Sequence, residues 1–129
     1  MRTASCSCGQ LTIRCAGEPI RISMCHCLAC QKRTGSAFGI QARWPSDRVT
    51  IEGHAQEYVR IGDEGSRTTF RFCPTCGATA YFDNDTMPGM IAVPVGAFAD
   101  PTFPPPGISV YGERRHPWAT TALTIDELD

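Results

Sequence analysis

Cysteine placement constrains this chain more than any other feature: eight cysteines occur in 129 residues, and all but Cys15 fall into three short runs. The runs are Cys6-Ser7-Cys8, Cys25-His26-Cys27-Leu28-Ala29-Cys30 and Cys73-Pro74-Thr75-Cys76. Close runs suit a metal ion, which accepts several thiolates from one loop, better than disulfides, each of which joins only two sulfurs at a fixed separation. The N-terminal MRTASCSCGQ lacks the apolar core of a secretory signal, and no stretch is long and apolar enough to span a bilayer. A cytoplasmic location is therefore expected, where thiols stay reduced and zinc is the natural partner.

A hydrophobic share of 42% with 19% charged residues predicts one soluble globular domain over residues 1–129. The net charge of −1 argues against nucleic acid and against an anionic membrane as partners, and leaves small molecules as the expected ligands. Nothing in the sequence specifies the oligomeric state.

The apolar pattern has period two, which predicts a mainly β fold. Leu11, Ile13 and Cys15 alternate with Thr12 and Arg14; Ile20, Ile22 and Met24 with Arg21 and Ser23; Thr68, Phe70 and Phe72 with Thr69 and Arg71. Further strands are expected at Phe38–Ala42, Glu57–Ile61, Ala78–Phe82 and Ile91–Val95, and the prolines of Phe103–Pro106 predict an extended connection. Helix signals are confined to Leu28–Arg33 and a last turn at Ile125–Leu128.

Cys73 and Cys76, followed by Gly77, can aim two sulfurs at one ion from a tight turn, and Cys6, Cys8 and Gly9 repeat the device in shorter form. Neither pair fills a tetrahedral site, so the simplest arrangement joins them as a closed, structural four-cysteine site. Cys25, Cys27 and Cys30 can reach one ion by themselves and leave a fourth position for an exogenous ligand, the layout of a reactive zinc. His26 or His54 would close that site if either pointed in; His26, between two ligands, is read as a neighbour. A partition in which Cys73 and Cys76 join the middle run is also compatible with the spacing. Cys15, on the apolar face of a strand, reads as a buried small hydrophobe. Trp44 reads as core or loop packing. Lys32 and Arg33 are either solvated surface or cations beside the thiolates, and Arg114-Arg115-His116-Pro117-Trp118 is either a plain loop or a wall of a pocket for an anionic small molecule.

Taken in order, Cys6-Ser7-Cys8-Gly9, Cys25 through Gly35 and Phe72 through Gly77 resemble the glutathione-dependent formaldehyde-activating enzyme family, also called the centromere-protein-V/GFA domain. The resemblance runs from about residue 4 to Trp118. It implies a β-tent (Mss4-like) fold of folded antiparallel sheets. It also implies a structural zinc on Cys6, Cys8, Cys73 and Cys76 and a catalytic zinc on Cys25, Cys27 and Cys30. Many relatives have two arginines and a serine where this chain has Lys32, Arg33 and Thr34, so one guanidinium is replaced by an ammonium here.

The activity implied is that of a carbon–sulfur lyase, named for the reverse direction, which adds glutathione or a related thiol to formaldehyde or a small aldehyde. Lys32, Arg33, Arg115 and Trp118 are the expected contacts to the glutathione carboxylates. The rival reading is a non-catalytic zinc module that binds a partner or senses thiol status.

Overall fold

The alternating segments become strands, seven of the ten in the structure, a computed structural model that describes residues 1–119. The turn expected at Ile125–Leu128 lies outside the described residues. In chain order the strands are β1 (Arg2–Ser5), β2 (Thr12–Cys15), β3 (Arg21–Cys25), β4 (Gly39–Pro45), β5 (Val49–Glu52), β6 (Gln56–Ile61), β7 (Arg67–Phe72), β8 (Thr79–Asn84), β9 (Met90–Pro94) and β10 (Ile108–Val110). A single α-helix among the described residues, α1 (Leu28–Thr34), follows β3. The molecule is thus mainly β, with a three-stranded sheet ordered β1-β2-β5 and a seven-stranded sheet ordered β10-β3-β4-β9-β8-β7-β6. Neighbouring strands are antiparallel except β10, which runs parallel to β3 at the sheet edge.

The core fills the space between the sheets. Ala4, Leu11, Ile13 and Cys15 from the smaller sheet and its turns meet Ala42, Trp44 and Val93 from the larger one. Trp44 is fully buried. Its indole Nε1 donates to the Gly17 carbonyl at 3.1 Å, so the buried N–H has a partner. Its ring packs on Phe98 at 5.5 Å between centroids, and Phe98 in turn on Phe103 at 4.9 Å, which pins the proline-rich connection to the core. Burial pushes the Cys15 thiol up to about 11, as an inert core side chain requires.

The larger sheet has two occupied faces. Ala42 opposite Val93 and Trp44 opposite Ile91 look into the core. The other face carries the cross-strand pairs Cys25–Gly39, Ser23–Gln41 and Arg21–Arg43. It continues through Ala92 and Phe82 to Phe70, Tyr58 and Arg60. Helix α1 lies against this second face. Gly39 sits under the helix: a Cβ there would stand 3.2 Å from the flexible end of Arg33 at Nη2 and in ordinary contact, 3.5 Å, with Cys30 Cβ.

The strand expected at Ile20–Met24 keeps its alternation, Ile22 and Met24 on one face and Arg21 and Ser23 on the other, but it starts one residue later and its second face is buried too. Ile22 packs on the core, yet Ile20 is 62% exposed while Ser23 is 1% exposed. The strand begins at Arg21, and its polar face is covered by α1 rather than by water. Strands β1, β5 and β10 are additions to the sequence reading. We predict that Trp44→Ala costs about 3–5 kcal/mol of folding stability, measured by urea unfolding at saturating zinc. A loss below about 1 kcal/mol would show that the inter-sheet core is not centred on this residue.

Candidate metal centres

Two turns, 65 residues apart between Cys8 and Cys73, bring four thiols together. The first links β1 to β2. The Cys6 N–H donates to the Leu11 carbonyl at 3.0 Å, the Gly9 N–H donates to the Cys6 carbonyl at 3.1 Å, and the Leu11 N–H points at Cys6 Sγ at 3.4 Å. The second links β7 to β8. Gly77, at φ +81°, closes a turn in which the Thr75 and Cys76 N–H groups point at Cys73 Sγ at 3.3 and 3.5 Å. The sulfurs of Cys6, Cys8, Cys73 and Cys76 all lie within 4.8 Å of one another. Cys6–Cys8 and Cys8–Cys73 are each 3.6 Å apart. Sulfurs bound tetrahedrally to zinc at about 2.3 Å stand about 3.8 Å apart, so both spacing and donor type fit that ion.

Gln10 locks this cluster to the larger sheet. Its Nε2 donates to Cys73 Sγ at 3.0 Å and to the His54 carbonyl at 2.7 Å, while its Oε1 accepts from the His54 N–H at 2.9 Å. The Gln10 hydrogen bond is the main reason that the Cys73 thiol is pulled down to about 5. The His54 side chain is not a member of either thiol group, although its backbone is tied to this one.

The second cluster forms where β3 runs into α1. Cys25 ends the strand, Cys27 caps the helix and accepts from the Cys30 N–H at 3.3 Å, and Cys30 lies in the first turn. Their three sulfurs lie within 4.8 Å of one another, and no fourth His, Cys, Asp or Glu joins them among the described residues. Cys73 and Cys76 belong to the other group. Hydrogen bonds with the Cys25 and Cys30 thiols pull Cys27 well below an ordinary thiol, and those with Cys27 and Cys30 push Cys25 up. A cation bound by these three sulfurs displaces their S–H protons.

His26 turns away from the sulfurs. It is 1% exposed, edge-on to Phe38 at 6.0 Å between centroids, and its buried Nδ1 has no partner. Burial, then the nearby charges of Arg115 and His116, holds its pKa down. Gln31, in α1, clamps the C-terminal segment beside the cluster. Its Nε2 donates to the carbonyls of His26 at 2.9 Å and Arg114 at 3.1 Å. That orientation makes Oε1 the acceptor for His116 Nε2 at 2.9 Å, so this nitrogen carries the proton. Trp118 stands edge-on to His116 at 5.5 Å and is 56% exposed; Arg115 and Lys32 are also exposed. Arg33 lies over Phe70 and Phe82 at 5.4 and 5.0 Å from their centroids.

Sequence reasoning missed the cations that the strands deliver to this face. Arg60 on β6 favours the Cys27 thiolate, and Arg43 on β4 feels both Cys25 and Cys30 while donating to Ser23 Oγ at 3.0 Å. Their place in the sequence gives no sign of this; only the register of the large sheet does. Two open depressions of about 400 and 420 Å³ lie elsewhere, and neither is lined by a cysteine. We predict that Gly39→Val, whose branched side chain crowds Arg33 and Cys30, weakens the hold of Cys25, Cys27 and Cys30 on their metal and leaves the other cluster loaded. Metal counting on the purified variant checks it, and retention of both metals would contradict the packing argument.

A crystal structure of a Rhodobacter sphaeroides protein is similar to this chain in fold, with a TM-score of 0.57 at 22% identity over 74% of this chain and 85% of that one. The family profile of the glutathione-dependent formaldehyde-activating enzymes matches residues 1–114. With its two thiol clusters built from the three cysteine runs, the chain belongs to the glutathione-dependent formaldehyde-activating enzyme family.

Proposed function

We propose that this chain is a zinc-dependent carbon–sulfur lyase that adds glutathione or a related thiol to formaldehyde or a small aldehyde. In this reading residues 1–129 act as one β-tent domain in the cytoplasm. The observation that carries the proposal is the contrast between the clusters: four thiols converge in one and three in the other. A four-thiol site is closed and serves stability, whereas three protein ligands leave a position for an incoming thiol.

Cys25, Cys27 and Cys30 would hold the zinc, which would supply a Lewis-acidic centre favouring an ionised thiol near neutral pH. The reaction forms one bond, between the thiol sulfur and the aldehyde carbon, and the proton lost by sulfur ends on the former carbonyl oxygen. The chain's own residues position and bias that step. Cys27 and Cys30 are fixed by the first turn of α1, which sits over Gly39 of β4. Arg33, Arg43 and Arg60 surround the thiolates with positive charge, which favours an ionised sulfur there. Gln31 holds His116 and the backbone of Arg114 near the cluster, which supports a role for the neighbouring Arg115 and Trp118, and for Lys32 on α1, as contacts to the thiol's carboxylates. Thiols add to formaldehyde unaided, so the gain is one of co-binding: two dilute reactants meet in a fixed orientation.

Exchange NMR between free formaldehyde and its thiol adduct tests the proposal. Wild-type protein should accelerate exchange in the presence of glutathione. Cys27→Ser should lose one of two zinc ions, return the rate to the protein-free background, and keep its thermal midpoint within a few degrees. Full acceleration by a Cys27→Ser protein carrying one zinc would refute the assignment of the middle cluster, as would a wild-type protein without effect.

A further inference from the structure

The face of the large sheet below α1 holds more positive charge than its thiols account for. A zinc ion on three thiolates carries one net negative charge, which a single guanidinium offsets. Four arginines gather on this face or over it: Arg21, Arg33, Arg43 and Arg60. Among the described residues, every ion pair uses Arg2, Arg14 or Arg71, and none uses one of these four. The Nε atoms of Arg21, Arg33 and Arg60 are buried with no hydrogen-bond partner.

Arg21 is the least explained of them. Arg33 and Arg60 act on the thiols directly, Arg43 lies close enough to feel Cys25 and Cys30, and Arg33 also rests on two aromatic rings. Arg21 faces Arg43 across the strands, and the two repel. Like charges placed directly opposite destabilise a sheet. An anion between them would turn that repulsion into a two-sided clamp, since guanidinium groups bind carboxylates through paired N–H donors.

Position along the strands says what the anion is attached to. The residue pairs run Cys25–Gly39, Ser23–Gln41, Arg21–Arg43 away from the cluster. Four residues of strand separate Cys25 from Arg21, about 13 Å, and an extended arginine side chain is long enough to cover about half of that. The remaining gap matches the distance from a cysteinyl sulfur to its own carboxylate or to that of the next residue.

We propose that Arg21 and Arg43 form a carboxylate clamp that selects, for the open thiol cluster, thiols carrying a carboxylate a few bonds from sulfur. The inference rests on the thiol-binding reading of the middle cluster and adds to it the residues that set specificity. Arg21 contacts the substrate's carboxylate and is a specificity residue; it takes no part in the bond that forms.

The test uses the full chain with cobalt(II) in place of zinc, titrated with N-acetylcysteine and with N-acetylcysteine amide, and reads the sulfur-to-cobalt absorption. Wild-type protein should prefer the acid over the amide by about tenfold or more, as expected for one charge-assisted contact. Arg21→Gln should bring that preference close to unity, and Arg21→Lys should retain part of it. Comparing the ratio between proteins cancels the difference in acidity of the two thiols. A preference unchanged in Arg21→Gln, or absent from the wild type, would overturn the clamp while leaving thiol binding intact. If neither thiol alters the cobalt spectrum, the thiol-binding reading falls and the clamp falls with it.

Discussion

Four sulfur atoms from two turns meet at a point where the chain has little else to hold it. The smaller sheet contributes few large side chains to the core, chiefly Leu11 and Ile13, and its turn carries Cys6 and Cys8. The turn that meets it carries Cys73 and Cys76 and belongs to the larger sheet. An ion at this point joins the two sheets at one end, and Trp44 with its neighbours joins them in the middle. Structural zinc sites contribute on the order of 10 kcal/mol or more of apparent binding free energy, comparable to the whole stability of a domain this size. In the account proposed here the remaining architecture depends on that junction. Gln10, which reaches both Cys73 and the His54 backbone, extends the junction to the β5–β6 turn.

The same large sheet serves two solvents. One face meets hydrocarbon and the other meets a polar layer under α1, so β3 and β4 bury residues of opposite character on opposite sides. Ser23 and Gln41 are nearly inaccessible, yet they lie on the polar face. This arrangement places guanidinium groups beside thiolates without immersing them in the core, where an unpaired charge would be costly. Helix α1, seven residues long, lies over this second face.

Much of this was legible from residues alone, for identifiable reasons. The three cysteine runs are local, and a turn of two to four residues fixes how its own sulfurs lie; period two marks a strand wherever one face meets the core. The burial of the polar face of β3 was less accessible, because nothing in the alternation of Ile22 and Met24 with Arg21 and Ser23 shows that both sides are covered. Strand β1 lacks an apolar pattern, β5 is four residues long, and β10 depends on parallel pairing with β3 after a run of prolines. Arg21, Arg43 and Arg60 were invisible as a group: they sit on three strands, and only the sheet order brings them to one face. The family resemblance supplied the grouping of sulfurs that spacing left open, and it carried no information on those arginines.

Zinc counting combined with zinc-edge X-ray absorption, on protein freshly purified under reducing conditions, tests the central claim most directly. The account predicts two zinc ions per chain, with an average of between three and four sulfur neighbours at about 2.3 Å and a minority of lighter ligands. A single zinc, a coordination shell dominated by nitrogen or oxygen, or cysteines paired as disulfides with no metal would contradict it.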